Sequence, residues 1–317
     1  MATYNKQSLS KQAQELGFVR DTLEKMLRLA EILKFIASDP LLSAIVALKG
    51  GTAINLTIFN LPRLSIDIDL DYTRNNNKDE MMSDRENITA VIKRYMAAEG
   101  YKLSDKSKSF HSLDSFVYVF VTSAEVRDNI TIEINYSIRS HVLPFVLKPI
   151  ETLGFLSEAN VLSVAPIEIF ASKIVALLTR AAARDLYDMS NMVMFDLFDD
   201  SEASLLRKCT LFYFTIAGDE VPKTFDINRI YSLTNHRIRT DLQPVLRKKE
   251  RFNLPAAQKR VEEYLTALLV VSDSEQQYLE AFREKEYKPE LLFQDAEILE
   301  RIRNHPMALW KMQNLQR

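Results

Sequence analysis

Cysteine is almost missing from this chain: Cys209 is the only one among 317 residues. A lone thiol excludes an intrachain disulfide and any cysteine-based zinc site, and it suits a reducing cytoplasm. Histidine is scarce as well. His111, His141, His236 and His305 are scattered without metal-ligand spacing and read as structural residues. No run of about 18 apolar residues occurs, which excludes an obvious membrane-spanning helix; the apolar stretch Leu265–Val271 is far too short. The opening Met1-Ala-Thr-Tyr-Asn-Lys-Gln-Ser-Leu-Ser10 lacks the apolar core of a signal peptide. The expectation is a cytoplasmic chain with no membrane partner. An excess of charge is also lacking, with 41 basic against 43 acidic residues and a net charge of −2. Global charge therefore gives no support to nucleic-acid binding, and any signal for it must be local. Glycine is rare too: six in all, two of them adjacent, Gly50-Gly51. In so glycine-poor a chain an adjacent pair marks a backbone geometry that side chains would forbid.

The length suggests two domains. Residues 8–39 carry apolar side chains at three- and four-residue spacing, from Leu9 to Ile36, which predicts helix, divided at Gly17 and stopped by Asp39-Pro40. Residues 43–48 read as a short buried strand and 52–59 as a helix. A further helix is predicted over 80–99, and strands over 65–72, 101–105, 115–122, 129–137 and 161–164. From Pro166, well placed as a first helical residue, the pattern is helical: the segments holding Ile169–Leu177 and Arg184–Met189, then 201–216, 226–234, 255–272, 274–283 and 294–304. The boundary falls near 160–166, giving domains 1–164 and 165–317.

The segment Ser65-Ile-Asp-Ile-Asp-Leu-Asp71 alternates in period two, so Asp67 and Asp69 share one face of a strand and Asp71 extends the row. Neighbouring carboxylates repel unless a cation neutralises them, and hard oxygens at this spacing suit Mg2+ or Mn2+. Taken alone, the pattern reads more readily as the solvated side of an amphipathic strand. Its context shifts the balance. Upstream, an apolar strand leads into Lys49-Gly50-Gly51-Thr52 and then a helix. Glycines at a helix N-terminus let backbone amides approach a phosphate, and Thr52 can add a hydroxyl. A phosphate cradle followed by a metal-binding strand is what nucleotidyl transfer from an NTP requires. Arg63 and Ser65 read as phosphate-holding or turn-stabilising. Lys173 and Arg180, seven apart, share a helix face, as do Asp185 and Asp188, three apart. Lys173 is a charge on a largely apolar helix.

The stretches Lys49-Gly-Gly-Thr-Ala-Ile-Asn-Leu56 and Leu61-Pro-Arg-Leu-Ser-Ile-Asp-Ile-Asp-Leu-Asp71 closely resemble the AbiEii/AbiGii toxin family of the DNA polymerase β-like nucleotidyltransferase superfamily, to which MenT-type toxins also belong. The sequence departs from the family pattern mildly, with Ile54 where leucine is usual. Ala171-Ser-Lys173, Arg184-Asp-Leu-Tyr-Asp188 and the ending Tyr287–Trp310 resemble the family too. The resemblance implies an α/β (α+β) fold: a polymerase β-like domain with a small mixed sheet flanked by helices, then an α-helical domain, with the site in a cleft between them. It implies Asp67 and Asp69 as the metal pair and Asp71 in an orienting role, and it makes Glu133, in Ile130-Thr-Ile-Glu-Ile-Asn-Tyr136 on another strand, a candidate third metal carboxylate, a reading level with that of a solvated strand residue. It implies Lys173 and Arg180 toward the triphosphate, and Asp185 or Asp188 positioning Lys173 or touching base or acceptor; Arg184 reads as a structural partner. It further implies a bacterial toxin–antitoxin or phage-defence toxin that transfers NMP to RNA, the tRNA 3′ end above all, and a cognate antitoxin protein. A transferase acting on a protein or small molecule, and an inactive nucleotide-binding module, are the competing readings. The basic stretch Arg237–Arg251 reads more readily as a solvated face than as an RNA grip, and Met307 and Trp310 as core or docking residues.

Overall fold

The computed structural model describes residues 4–217 and 221–314. They form two compact units: one holds the chain up to Arg139, Phe145–Ser163 and Gln243–Glu250; the other holds Ser140–Pro144, Val164–Leu242 and the chain from Arg251 onward.

The first unit is built on a mixed sheet of eight strands: β1 Val46–Lys49, β2 Asp67–Tyr72, β3 Lys102–Leu103, β4 Lys108–Ser109, β5 Leu113–Val121, β6 Arg127–Asn135, β7 Val146–Pro149 and β8 Asn160–Ser163. The order is β3-β5-β6-β2-β1-β8-β7, with β4 beside β5. Strand β2 runs antiparallel to β1 and parallel to β6. Alternation sorts the faces. Ile68, Leu70, Ile130, Ile132, Ile134, Phe116 and Tyr118 are buried on one side, while Asp67, Asp69 and Glu133 lie half-buried on the other. Helix Lys78–Ala98, started by an Asn77–Glu80 capping box, lies over the apolar face, where Arg85 bonds Asp114.

The N-terminal helix breaks at Gly17, which takes φ +78 and closes the helix through Ala13 and Gln14 carbonyls. That corner explains why Gln243–Glu250 joins the first unit. Arg247 lies over the Phe18 ring and donates to the Leu16 carbonyl, and the Lys248 amide donates to that of Gly17.

Several local expectations shift. The strand predicted over 43–48 begins only at Val46, because the Asp39 carboxylate caps the amides of Leu41 and Leu42 and winds Leu42–Ile45 into a helical turn. The helix after the glycines starts at Gly50 and widens into a π-turn over Ile54–Ile58. The segment 226–234 forms a 3-10 helix over Ile227–Ser232.

The second unit is helical: Pro166–Arg180, Ala183–Met194, Asp200–Ala217, Leu254–Leu268, Asp273–Arg283, Ala296–Ile302 and Pro306–Asn314 are its α-helices of a full turn or more among the described residues. Helix Pro166–Arg180 packs on Asp200–Ala217, and Leu254–Leu268 on Ala183–Met194. Glu168, fully buried, accepts the amides of Val142 and Leu143 and the Tyr213 hydroxyl. Burial pushes its carboxyl up, but His141 and these donors outweigh it and hold it below the ordinary value. Trp310, expected in a core or docking position, is 55% exposed and so is not a core residue. Among the described residues no helix is long and apolar enough to cross a membrane.

Candidate active site

Strand register assembles the first cluster. Lys49 on β1 lies opposite Asp69 on β2, Asp69 lies opposite Glu133 on β6, and Glu133 lies opposite Ser115 on β5. One polar row thus crosses four strands, with Asp67 two residues along on the same face as Asp69.

The glycines make this row possible. Gly50 sits at φ +66, a conformation that L side chains rarely adopt. A Cβ there would overlap the Asp69 carboxylate oxygen and lie 3.1 Å from its Cγ. The backbone therefore presses directly against the Asp69 side chain. At Gly51 a Cβ would meet Arg63 Nη2 at 2.8 Å, so Arg63, itself buried, lies under the second glycine. Thr52 is fully buried; its hydroxyl donates to the Asp67 carbonyl and lies 2.6 Å from Ser65 Oγ. Thr52 and Ser65 thus tie the helix start to the carboxylate strand. Lys49 Nζ donates to Asp71 Oδ1, and Asp71 is buried.

The donor chemistry suits a hard divalent cation. Asp67 and Asp69 present carboxylates at i, i+2 on one face, and the absence of a side chain at Gly50 lets the Asp69 carboxylate keep its place against the backbone. Glu133 is their neighbour, yet its Oε1 accepts the Ser115 hydroxyl at 3.0 Å. Among the described residues no three His, Cys, Asp or Glu side chains converge as a metal cluster. The set that the geometry offers is therefore the Asp67–Asp69 pair, with Glu133 held beside it by Ser115, a residue that sequence pattern alone does not single out. A serine becomes informative only once the β5–β6 register is known.

The second cluster lies within the helical unit. Lys173, buried on helix Pro166–Arg180, reaches Asp185 at 2.8 Å and Asp188 at 3.3 Å. Arg180 Nε reaches the other Asp185 oxygen at 2.9 Å. Both carboxylates therefore hold the ammonium, and Asp185 is shared between two cations. Burial pushes the Asp185 carboxyl up; Lys173 and Arg180 more than reverse this and hold it below the ordinary aspartate value. Arg184 Nε donates to the Asp241 carbonyl at 2.8 Å.

A family description, the nucleotidyl transferase AbiEii toxin of a type IV toxin–antitoxin system, matches residues 32–285. The chain belongs to the AbiEii family. The match spans both clusters, so this AbiEii-family protein is placed among nucleotidyltransferase toxins by a region covering most of its length. No curated protein matches it. Among solved structures it is similar to MenT4, a nucleotidyltransferase toxin from Mycobacterium tuberculosis H37Rv. The identity is 15%, the coverage 96% of this chain and 99% of that one, and the TM-score 0.63. At that identity the likeness speaks for the fold, and it agrees with a mixed sheet flanked by helices.

Proposed function

We propose that this AbiEii-family protein transfers a nucleoside monophosphate from an NTP to an RNA acceptor, the 3′ end of tRNA, and that a cognate antitoxin protein opposes it. The observation that carries the reading is the pressed contact of Gly50 on Asp69 within the polar row Lys49–Asp69–Glu133–Ser115. In the reaction an acceptor hydroxyl gives up its proton to solvent as its oxygen bonds to the α-phosphorus, the α–β phosphoanhydride breaks, and pyrophosphate leaves with the electron pair. Asp67 and Asp69 would hold Mg2+ or Mn2+, which supplies charge neutralisation on the triphosphate and activates the attacking oxygen. Ser115 fixes the rotamer of Glu133 beside them. Gly50 and Gly51 bring backbone close to the phosphates, while Thr52, Ser65 and Arg63 fix the turn from which those amides project. Lys49 neutralises Asp71 and adds positive charge at the same strand end. Within the helical unit, Lys173, held by Asp185 and Asp188, and Arg180 form the cationic cluster that we assign to the stabilisation of phosphate charge.

The test supplies protein, Mg2+, each α-labelled NTP in turn and total tRNA. Label on tRNA from at least one nucleotide is the expected result. Label on the protein itself or on a small-molecule acceptor instead would move the acceptor assignment, and absence of both transfer and nucleotide binding would leave a module without chemistry.

A further inference from the structure

Glycine is the loosest of residues, so a glycine pair that meets a ligand has to be held by its neighbours. Gly50 presses on Asp69; Gly51, half-buried beside it, is held by Asn55, four residues on. The Asn55 Nδ2 donates to the Gly51 carbonyl at 2.8 Å. A carbonyl can only accept, so the nitrogen end of the carboxamide faces it. The same carbonyl accepts the Ile54 amide. Two donors thus fix its direction, and with it ψ of Gly51, a torsion that glycine leaves open. The Asn55 backbone acts at the other end of the loop. Its carbonyl accepts the Leu61 amide at 3.2 Å. Leu61 stands at φ +46, two residues before Arg63, the side chain that lies against Gly51. One residue therefore ties both the glycine turn and the turn that leads to Arg63. Between them runs the wide helical turn Ile54–Ile58, of a kind frequent at functional sites.

Stability alone does not account for an asparagine here. Asn55 is fully buried, and among the described residues no donor reaches its Oδ1. A buried acceptor left unpaired is destabilising, and asparagine is a weak helix former. An aliphatic side chain of similar size would avoid both costs, and the Ile54 amide would still satisfy the Gly51 carbonyl. What a donor at this position adds is a fixed glycine turn, and a binding loop fixed in advance loses less freedom when its ligand arrives.

We propose that Asn55 is a positioning residue for the nucleotide: it acts through Gly51, holding the glycine turn in the form that meets the triphosphate. This rests on the functional reading above for the NTP and is independent of the acceptor. The test compares Asn55→Thr with Asn55→Val, which share one shape and differ in a single hydroxyl. A helical threonine donates to the carbonyl four residues back, as Thr57 does to Ala53 at 2.7 Å and Thr210 to Leu206 at 2.8 Å. Asn55→Thr therefore keeps the bond to Gly51 and Asn55→Val loses it. Isothermal titration calorimetry with Mg2+ and each NTP in turn, without acceptor, reads nucleotide affinity on the full chain; urea denaturation verifies that each variant is folded. Asn55→Val is expected to bind NTP about tenfold to a hundredfold more weakly, the contribution of one hydrogen bond to a charged group, and Asn55→Thr to stay near wild type. In transfer assays Asn55→Val should raise KM for NTP and leave KM for the acceptor unchanged. A residue that only supports the fold behaves otherwise: partial unfolding lowers the active fraction, hence the apparent kcat, and leaves KM for NTP where it was. If Asn55→Val does not fold, Asn55→Ser against Asn55→Ala repeats the comparison. Equal NTP affinity in the two members of a pair overturns the proposal, as does a fall in kcat with KM for NTP unchanged. The two readings fail separately. A wild type that binds no NTP defeats the functional reading and this inference with it. A wild type that binds NTP, beside a pair of equal affinity, defeats this inference alone. Label on a protein instead of RNA changes the acceptor and leaves Asn55 its role.

Discussion

Replacing Gly50 by alanine tests the link between backbone geometry and chemistry. At φ +66 an alanine carries about 1–2 kcal/mol of left-handed strain. Its Cβ would also overlap the Asp69 carboxylate, with Cγ and Cβ of Asp69 at 3.1 and 3.2 Å. The obstacle is the body of a short side chain, so relief requires Asp69 itself to move. Displacing the carboxylate that we propose to hold the metal is expected to lower NMP transfer about 10–100-fold, the range for disturbed supports of metal ligands. Gly51→Ala is the internal control. Its Cβ meets only the tip of Arg63, at 2.8 Å, with the next atom at 3.8 Å, and a long side chain can swing aside. Chemical denaturation and labelled-NTP transfer rates are measured on both. Gly50→Ala should lose both stability and rate, and Gly51→Ala should lose far less rate. A Gly50→Ala protein that is destabilised yet transfers at the wild-type rate would refute the reasoning, because Asp69 would then not need its place.

Other outcomes follow from the two clusters. Lys173→Met leaves Asp185 and Asp188 buried without their shared ammonium and is expected to cost about 3–5 kcal/mol in urea denaturation; adding Asp185→Asn should restore part of it, and no loss in the single variant would show that Lys173 does not hold the pair. Asp185 has a folded-state pKa below its ordinary value, so its stabilising contribution is present above about pH 4 and is lost as pH falls through the depressed folded value. The stability gap between wild type and Asp185→Asn should therefore be widest near neutrality and close in acid; a gap independent of pH would contradict this. Ser115→Ala frees Glu133 and is expected to raise the Mg2+ concentration needed for half-maximal transfer about tenfold, with a stability change of only about 1 kcal/mol, whereas Ser115→Thr keeps the hydroxyl and should keep the metal response.

Much of the carboxylate cluster was legible because it is local. Period-two alternation in 65–71 places Asp67 and Asp69 on one face whatever the rest of the fold does, and a glycine pair in a glycine-poor chain marks a turn that must approach something closely. The family resemblance and the mixed sheet with flanking helices followed from the same residues. What stayed hidden is non-local. Nothing in Leu113–Val121 announces that Ser115 will face Glu133, since that depends on the β5–β6 register. Strand β4 has only two residues, too few for a periodicity to register, and the four residues of β7 alternate half-buried with exposed positions and show no buried face. The helical turn at Leu42–Ile45 was missed because the Asp39 cap overrides an apolar run that resembles a strand. Gln243–Glu250 joins the first unit through Arg247 and Phe18, a contact between residues more than two hundred positions apart in sequence.

The most direct test compares NMP transfer by wild type, Asp67→Asn, Asp69→Asn and the double variant, each verified as folded. Two carboxylates that hold one cation act as a unit, so each single variant should abolish transfer about as fully as the double, with strongly non-additive losses. A double variant that still transfers label at a rate near wild type would contradict the assignment of the chemistry to the Asp67–Asp69 strand.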